Sequence, residues 1–242
     1  MKKILKKIAQ ADKDYGLFED GDIIAVGVSG GKDSTLLLVA LSEYQKKSHK
    51  KFRVIGVHVQ LGFAGMDFTA LSSYFASIGI EFHMFPSQVA EILKIQAYED
   101  GRLKCSLCSK FKKALVISHA KELQCNKVAF AHHADDAVET LFLNAIYGGR
   151  LATFLPKMHL SETDMMFIRP LIYVSEEDII CENEVSQYPI VKSTCPMDGY
   201  TKRQDIKEML NALYEQFPTS KGNFLKMLHN EEQLMLWNSE KY

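Results

Sequence analysis

Asp22-Ile-Ile-Ala-Val-Gly-Val28, followed at once by Ser29-Gly-Gly-Lys-Asp-Ser34 and then by Thr35-Leu-Leu-Leu-Val-Ala-Leu41, is the stretch that decides the fold. A short unbroken apolar run suits a strand buried on both faces of a parallel sheet. The segment from Thr35 to Leu41 reads as the helix that follows it. Gly30 and Gly31 between them let backbone approach an anion without a Cβ clash. The exposed N–H groups at the helix start favour phosphate. Ser29 and Ser34 add hydroxyl donors and Lys32 adds a charge, so the residues Ser29, Gly30, Gly31, Lys32, Asp33 and Ser34 predict a phosphate cradle. It is not a Walker A loop, because Val26 stands where the first glycine belongs and Asp33 follows Lys32. The dinucleotide spacing Gly-x-Gly-x-x-Gly is also missing.

Outward from this loop, strands and helices alternate. Lys2 to about Lys13 carries Ile4, Ile8 and Ala11 near helical spacing. Arg53–Val59 reads as a second strand. Asp67 is placed to cap a helix with the stripe Phe68, Leu71, Phe75 and Ile78, stopped by Gly79. Ile80, Phe82 and Met84 alternate as a third strand. Ser109–Leu123 reads as a helix, Lys127–Ala131 as a strand, and Asp135 or Asp136 as the opening of a helix to about Ile146. Met166–Tyr173 reads as a further strand. Ser175-Glu-Glu-Asp178 has the spacing of a capping box. Two helices are predicted near Arg203–Gln216 and Asn223–Trp237. The pattern predicts an α/β fold with a doubly wound, mostly parallel sheet and flanking helices. It is read as a single domain over 1–242, with 200–242 a helical C-terminal extension. Ligands of such sheets sit at the carboxyl ends of the strands, where both Ser29–Ser34 and His132–Asp136 lie.

Composition narrows the class. Apolar residues are 47% and charged residues 24% of 242, which suits a packed core and argues against disorder. No apolar run approaches the ~18 residues that span a bilayer, and the basic start Met1-Lys-Lys-Ile-Leu-Lys-Lys lacks a following apolar segment. A cytoplasmic protein without a membrane partner is the expectation. The net charge of −1 leaves nucleic-acid binding open, since that needs a patch and not a total.

Five cysteines in such a chain argue against a disulfide framework. Cys105-Ser-Leu-Cys108 is a C-x-x-C pair just ahead of a basic helix. Alone it fits half a zinc site, a redox pair or part of an iron–sulfur site. With Cys195 it offers three thiolates, which leave a metal position open for chemistry. Cys125 and Cys181 read as buried small hydrophobes.

Ser29-Gly-Gly-Lys-Asp-Ser34 resembles the PP-loop of the N-type ATP pyrophosphatases, whose adenine nucleotide alpha hydrolase-like members adenylate an oxygen and release pyrophosphate. Further segments resemble the tRNA 2-thiocytidine synthetase branch: Glu19-Asp-Gly-Asp22, Cys105-Ser-Leu-Cys-Ser109, His132-His-Ala-Asp-Asp136, Glu139-Thr-Leu-Phe-Leu-Asn144, Tyr147-Gly-Gly149, Arg169-Pro-Leu171, and Arg203-Gln with Ile206-Lys-Glu-Met-Leu210. The match runs in order over roughly 1–230. It implies ATP and Mg²⁺, a tRNA anticodon loop as substrate, a sulfur donor, and a homodimer. It also implies a [4Fe–4S] cluster on Cys105, Cys108 and Cys195. The family carries a second C-x-x-C-like segment where this chain has Cys195 alone.

On this reading Lys32, Asp33, Lys112, Asp135 and Asp136 are the catalytic candidates. His58, His132 and Arg169 join the phosphate loop in holding the nucleotide. Three other readings remain at this stage: a PP-loop ligase with a structural zinc, a non-catalytic nucleotide- or tRNA-binding paralogue, and a sulfur-transfer enzyme that carries a persulfide on Cys105 or Cys108.

Overall fold

The computed structural model describes residues 1–197 and 201–230. Two compact units are formed, one by Met1–Ala134 with Leu155–Tyr200, the other by Asp135–Phe154 with the chain from Thr201 onward. The first unit holds α1 (Lys2–Tyr15), β1 (Ile23–Gly27), α2 (Lys32–Lys47), β2 (Arg53–Gln60), α3 (Thr69–Ser77) and β3 (Phe82–Pro86). It continues with α4 (Val89–Ile95), α5 (Cys105–Glu122), β4 (Lys127–Ala129), β5 (Lys157–Leu160), β6 (Met165–Ile168) and α7 (Glu176–Ser186). The second unit holds nearly all of α6 (Ala134–Gly148), then α8 (Lys202–Gln216) and α9 (Ser220–Met227).

The sheet has the order β3-β2-β1-β4-β6-β5. All its pairings are parallel except β5 with β6. The doubly wound fold expected from the sequence is therefore present. β1 is buried along Ile24–Val26 because helices cover both faces of the sheet, and this is why its sequence does not alternate. α2 lies tightly on β2: a Cβ at Gly56 would come within 2.6 Å of Leu38 Cδ2 and 2.8 Å of Phe82 Cδ2. Only a glycine lets the helix approach so closely. Ala25, Ile55, Val57, Val116, Val128 and Phe167 make the centre of the core.

From β1 the chain winds through β2 and β3 to one edge. It then returns to β4 on the other side of β1. The winding direction thus reverses between β1 and β4, which are in register at Val26 and Ala129. In a doubly wound sheet this switch point is where a ligand crevice opens. The N-terminal ends of the same two strands are tied by a buried ion pair, Lys127 to Asp22 at 2.7 Å. Lys127 also donates to the Leu17 carbonyl at 3.2 Å, so the buried charge is both paired and hydrogen-bonded.

The second unit has its own small core. Val138, Ile206 and Leu210 are buried there, flanked by Phe142, Tyr214 and Phe224. Its α8 starts at the Thr201 cap, whose side chain accepts the Gln204 N–H.

Several boundaries differ from the sequence expectation. α2 starts at Lys32, three residues early, because the Gly31 carbonyl already accepts the Thr35 N–H. α5 starts at Cys105, so the C-x-x-C pair sits in its first turn and not ahead of it. β4 ends at Ala129 and β6 at Ile168, the latter short of Tyr173 because Pro170 has no N–H to give to the ladder. The Asp67 carboxylate accepts the Thr69 N–H at 2.8 Å, but the cap position of α3 falls one residue later than expected, on Phe68. α4 and the edge strand β5 were not anticipated. The last described helix ends at Met227, and Trp237 lies outside the described residues. Cys125 is buried, as expected, and burial pushes its thiol up to about 11. Cys181 corrects the expectation, for it is exposed: α7 buries Ile179 and covers Asp178, and Cys181 falls on its open side.

Candidate active site

Ser29–Ser34 is a loop that holds its own shape. The Ser34 hydroxyl donates to the Gly31 carbonyl at 3.1 Å and accepts the Ser29 N–H at 3.1 Å. The Ser29 and Ser34 hydroxyls stand 3.0 Å apart, and the Gly31 N–H points to Ser29 Oγ at 3.4 Å. The serines thus build the turn before any ligand arrives. Gly30 has φ of 92°, and a Cβ there would meet Phe68 Cε1 at 2.8 Å and Val191 Cβ at 2.9 Å. Its carbonyl accepts the Val191 N–H at 2.9 Å, which fastens the 191–195 segment to the loop.

Lys32 opens α2. Its ammonium lies 3.1 Å from Asp33 and 3.1 Å from Glu176. Burial pulls its pKa down, but the charges and hydrogen bonds of Asp33 and Glu176 outweigh that and hold it above the ordinary lysine value. Lys32 is therefore a fixed cation at a helix N-terminus, where its charge and the peptide dipoles favour the same anion. Sequence reading missed Glu176. The signal was there: Ser175 caps α7, its side chain accepting the Asp178 N–H, which puts Glu176 at the first helical position.

His58 is on β2, 5% exposed, and its Nδ1–H donates to the Val28 carbonyl at 2.7 Å. Its ring lies 3.8 Å from the Phe68 ring, centroid to centroid. Burial lowers its pKa, and the Val28 bond opposes that only in part. The folded protein therefore keeps His58 neutral where the unfolded chain would protonate it. As pH falls below the ordinary value of 6.5, unfolding takes up a proton and stability drops. Thermal unfolding between pH 7.5 and 5.5 is expected to show a smaller loss in His58→Gln than in wild type. Parallel curves would remove His58 from this role.

His132 and His133 follow β4 across the switch point, with His133 buried and His132 half-buried. Arg169, 5% exposed after β6, donates to the Leu155 carbonyl, and burial pulls its pKa down to about 10. Asp135 and Asp136 belong to the second unit. There Lys221 lies 2.6 Å from Asp135, and Arg203 lies 3.3 Å from Asp136 and 3.3 Å from Glu139.

Cys105, Cys108 and Cys195 all belong to the first unit. Burial pushes the Cys108 thiol up, Lys112 one turn along α5 pulls it down, and Cys195 and Cys105 push it up again. Lys112 and the other two cysteines thus all bear on the Cys108 thiol. Cys105 is exposed, while Cys108 and Cys195 are half-buried. Among the described residues, no three His, Cys, Asp or Glu side chains already stand as a metal cage. The three thiols fit an iron–sulfur cluster in kind. Their number leaves one corner of it without a protein ligand.

Residues 1–188 match the PP-loop domain family. The tRNA-cytidine(32) 2-sulfurtransferase of Geobacter sulfurreducens is 34% identical over 241 residues, 99% of this chain and 93% of that protein. The chain belongs to this PP-loop family. Another PP-loop relative, the tRNA-cytidine(32) 2-sulfurtransferase of Dechloromonas aromatica, is 37% identical over 206 residues, 85% of this chain and 71% of its own. Among solved structures, the U34-tRNA thiolase NcsA of Methanococcus maripaludis, with its [4Fe–4S] cluster, superimposes with a TM-score of 0.73. It shares 20% identity, and the match covers 98% of this chain and 80% of that one. NH3-dependent NAD synthetase of Campylobacter jejuni follows at a TM-score of 0.51 and 15% identity. Both likenesses speak for the PP-loop fold. Among the described residues, no helix is long and apolar enough to cross a membrane.

Proposed function

We propose that the chain is an ATP-dependent tRNA thiolase that replaces the 2-oxo group of a cytidine, position 32 of the anticodon loop, by sulfur. The observation that carries this reading is the Val191 N–H to Gly30 carbonyl bond at 2.9 Å. It joins the phosphate loop to the segment that ends in Cys195. Activation and sulfur delivery thus share one piece of structure. The names of the relatives support the substrate and the overall reaction.

ATP would lie on Ser29–Ser34, its phosphates met by backbone N–H groups and by Lys32, and Asp33 would help to hold Mg²⁺. His58, His132 and Arg169 line the nucleotide side. Cytidine O2 attacks the α-phosphorus, an O–P bond forms, and pyrophosphate leaves with Lys32 neutralising its charge. Sulfide then forms a bond to C2, the C2–O bond breaks, and AMP leaves with the oxygen. The sulfur proton passes to a base and no net oxidation occurs. Cys105, Cys108 and Cys195 would hold a [4Fe–4S] cluster, which when bound would supply an iron for sulfide. Lys112 holds negative charge near these sulfurs. Asp135 and Asp136 are the remaining carboxylate candidates for metal or proton, roles in which Lys221 and Arg203 must give way. A separate sulfur donor, a homodimer and a cytoplasmic location complete the proposal.

The test is anaerobic protein with ATP, Mg²⁺, sulfide and an unmodified tRNA transcript. AMP, pyrophosphate and a thiolated cytidine are expected in equal amounts, the last by mass spectrometry of the digested RNA. Pyrophosphate without thiolated nucleoside would overturn the substrate and leave a PP-loop ligase.

A further inference from the structure

The 20 residues from Lys94 to Lys113 carry six cations, Lys94, Arg102, Lys104, Lys110, Lys112 and Lys113, against Glu99 and Asp100, in a chain of net charge −1. One of those two acids is already engaged: Asp100 pairs with Arg102 at 2.7 Å. In the middle of this stretch stands an exposed aromatic side chain, Tyr98, with 53% of its surface open. The Lys104 ammonium lies over its ring, 5.2 Å from the centroid. An aromatic ring flanked by cations is the composition of a single-strand nucleic-acid platform, in which a base stacks on the ring and cations meet the phosphates.

The platform is held in place. Tyr98 N–H donates to the Arg102 carbonyl at 2.9 Å, and Gly101 N–H donates to the Tyr98 carbonyl at 2.8 Å. Gly101 takes φ of 79°, which closes the turn. Asp100 accepts the Arg102 backbone N–H at 3.0 Å. The Lys104 carbonyl accepts the Cys108 N–H at 3.0 Å, which makes Lys104 the cap of the helix that carries Cys105 and Cys108. A base stacked on Tyr98 would therefore be fixed relative to those two sulfurs.

We infer that the 98–104 turn, with the Tyr98 ring and the Lys104 ammonium, is the stacking platform for an unpaired base of the RNA substrate, and that the cations of α5 carry its backbone. This rests on the tRNA reading and names the surface that reading requires. A paired duplex cannot use the ring, so the platform selects unpaired loops.

Binding of a labelled RNA stem-loop with an unpaired loop is measured by anisotropy, beside a fully paired duplex, for wild type, Tyr98→Ala, Tyr98→Phe and Lys104→Ala. Thermal unfolding of each variant checks the fold. Tyr98→Ala is expected to weaken stem-loop binding by roughly 5- to 150-fold, while leaving the weaker duplex binding as it is. Tyr98→Phe keeps most of the affinity, because the ring and not the hydroxyl stacks. Lys104→Ala lowers the slope of log affinity against log salt by about 0.7. Equal binding by wild type and Tyr98→Ala overturns the platform, even if the protein thiolates tRNA. Unchanged RNA binding with slower sulfur delivery from a protein donor also overturns it and assigns the surface to that donor. Stem-loop binding that depends on Tyr98, with no thiolated product, upholds the platform and sinks the thiolation reading instead. No binding of either RNA by the wild type overturns both.

Discussion

Lys32→Ala is expected to slow ATP-dependent pyrophosphate release by about 10²- to 10³-fold, as removal of one preorganised charge from a reacting centre does. Lys32 is the one cation within Ser29–Ser34. It is held between Asp33 and Glu176 at 3.1 Å each. Glu176 sets the sign of the effect. With the ammonium gone, it faces the triphosphate without a counter-charge, so the variant loses an attraction and gains a repulsion. Glu176→Gln in the Lys32→Ala background is therefore expected to recover part of the loss, roughly 10-fold if one such contact is worth about 1.4 kcal/mol. The fold should survive, because Lys32 is 29% exposed at its side chain and leaves no sealed cavity. The measurement is single-turnover pyrophosphate release with saturating ATP, alongside thermal unfolding. A full rate in Lys32→Ala would remove the phosphates from this loop.

The parts of this protein most legible in its sequence are those set by local physics. The apolar run Ile23–Val28 announces a doubly covered strand, and Gly30 announces backbone that no side chain can occupy. The cap at Ser175 was legible because capping is a matter of three residues. What was not legible depends on distant chain. Glu176 reaches Lys32 across 144 residues, and nothing in either segment names the other. Phe68 and Val191 close over Gly30 for the same reason. β5 is four residues at the sheet edge, none of them buried, so no periodic signal marks it. Cys181 was misplaced because a cysteine's burial follows from which face its helix turns inward. α7 turns in Ile179 and shows too weak a stripe to reveal it. The serines of the loop have a second task that their sequence does not announce: Ser34 bonds Ser29 and Gly31 and so shapes the turn.

Cys195→Ala, prepared without oxygen, is expected to lose bound iron and sulfide that the wild type holds at about four of each per chain. The argument turns on number and on chain placement. Cys105 and Cys108 share the first turn of α5, and Cys195 comes from a separate segment that the Val191 N–H to Gly30 carbonyl bond ties to the phosphate loop. Two thiolates alone do not retain a cubane in water, and a third from an independent segment changes a loose pair into a closed face. The variant tests that third ligand while leaving the helix intact. Cys181→Ala is the control, since its thiol is exposed on α7 and takes no part in the proposed site. It should keep the full iron content, and so should the brown absorbance that accompanies it. Cys108→Ala should match Cys195→Ala in iron loss, because either change leaves two ligands. The two single variants should therefore equal the double, whereas independent sites would lose iron additively. Zinc in place of iron, in the wild type and in Cys181→Ala alike, would turn the three cysteines into a structural site and the chain into a PP-loop ligase. Thiolation at full rate by protein free of both metals would assign the sulfur to a persulfide on Cys105 or Cys108 instead.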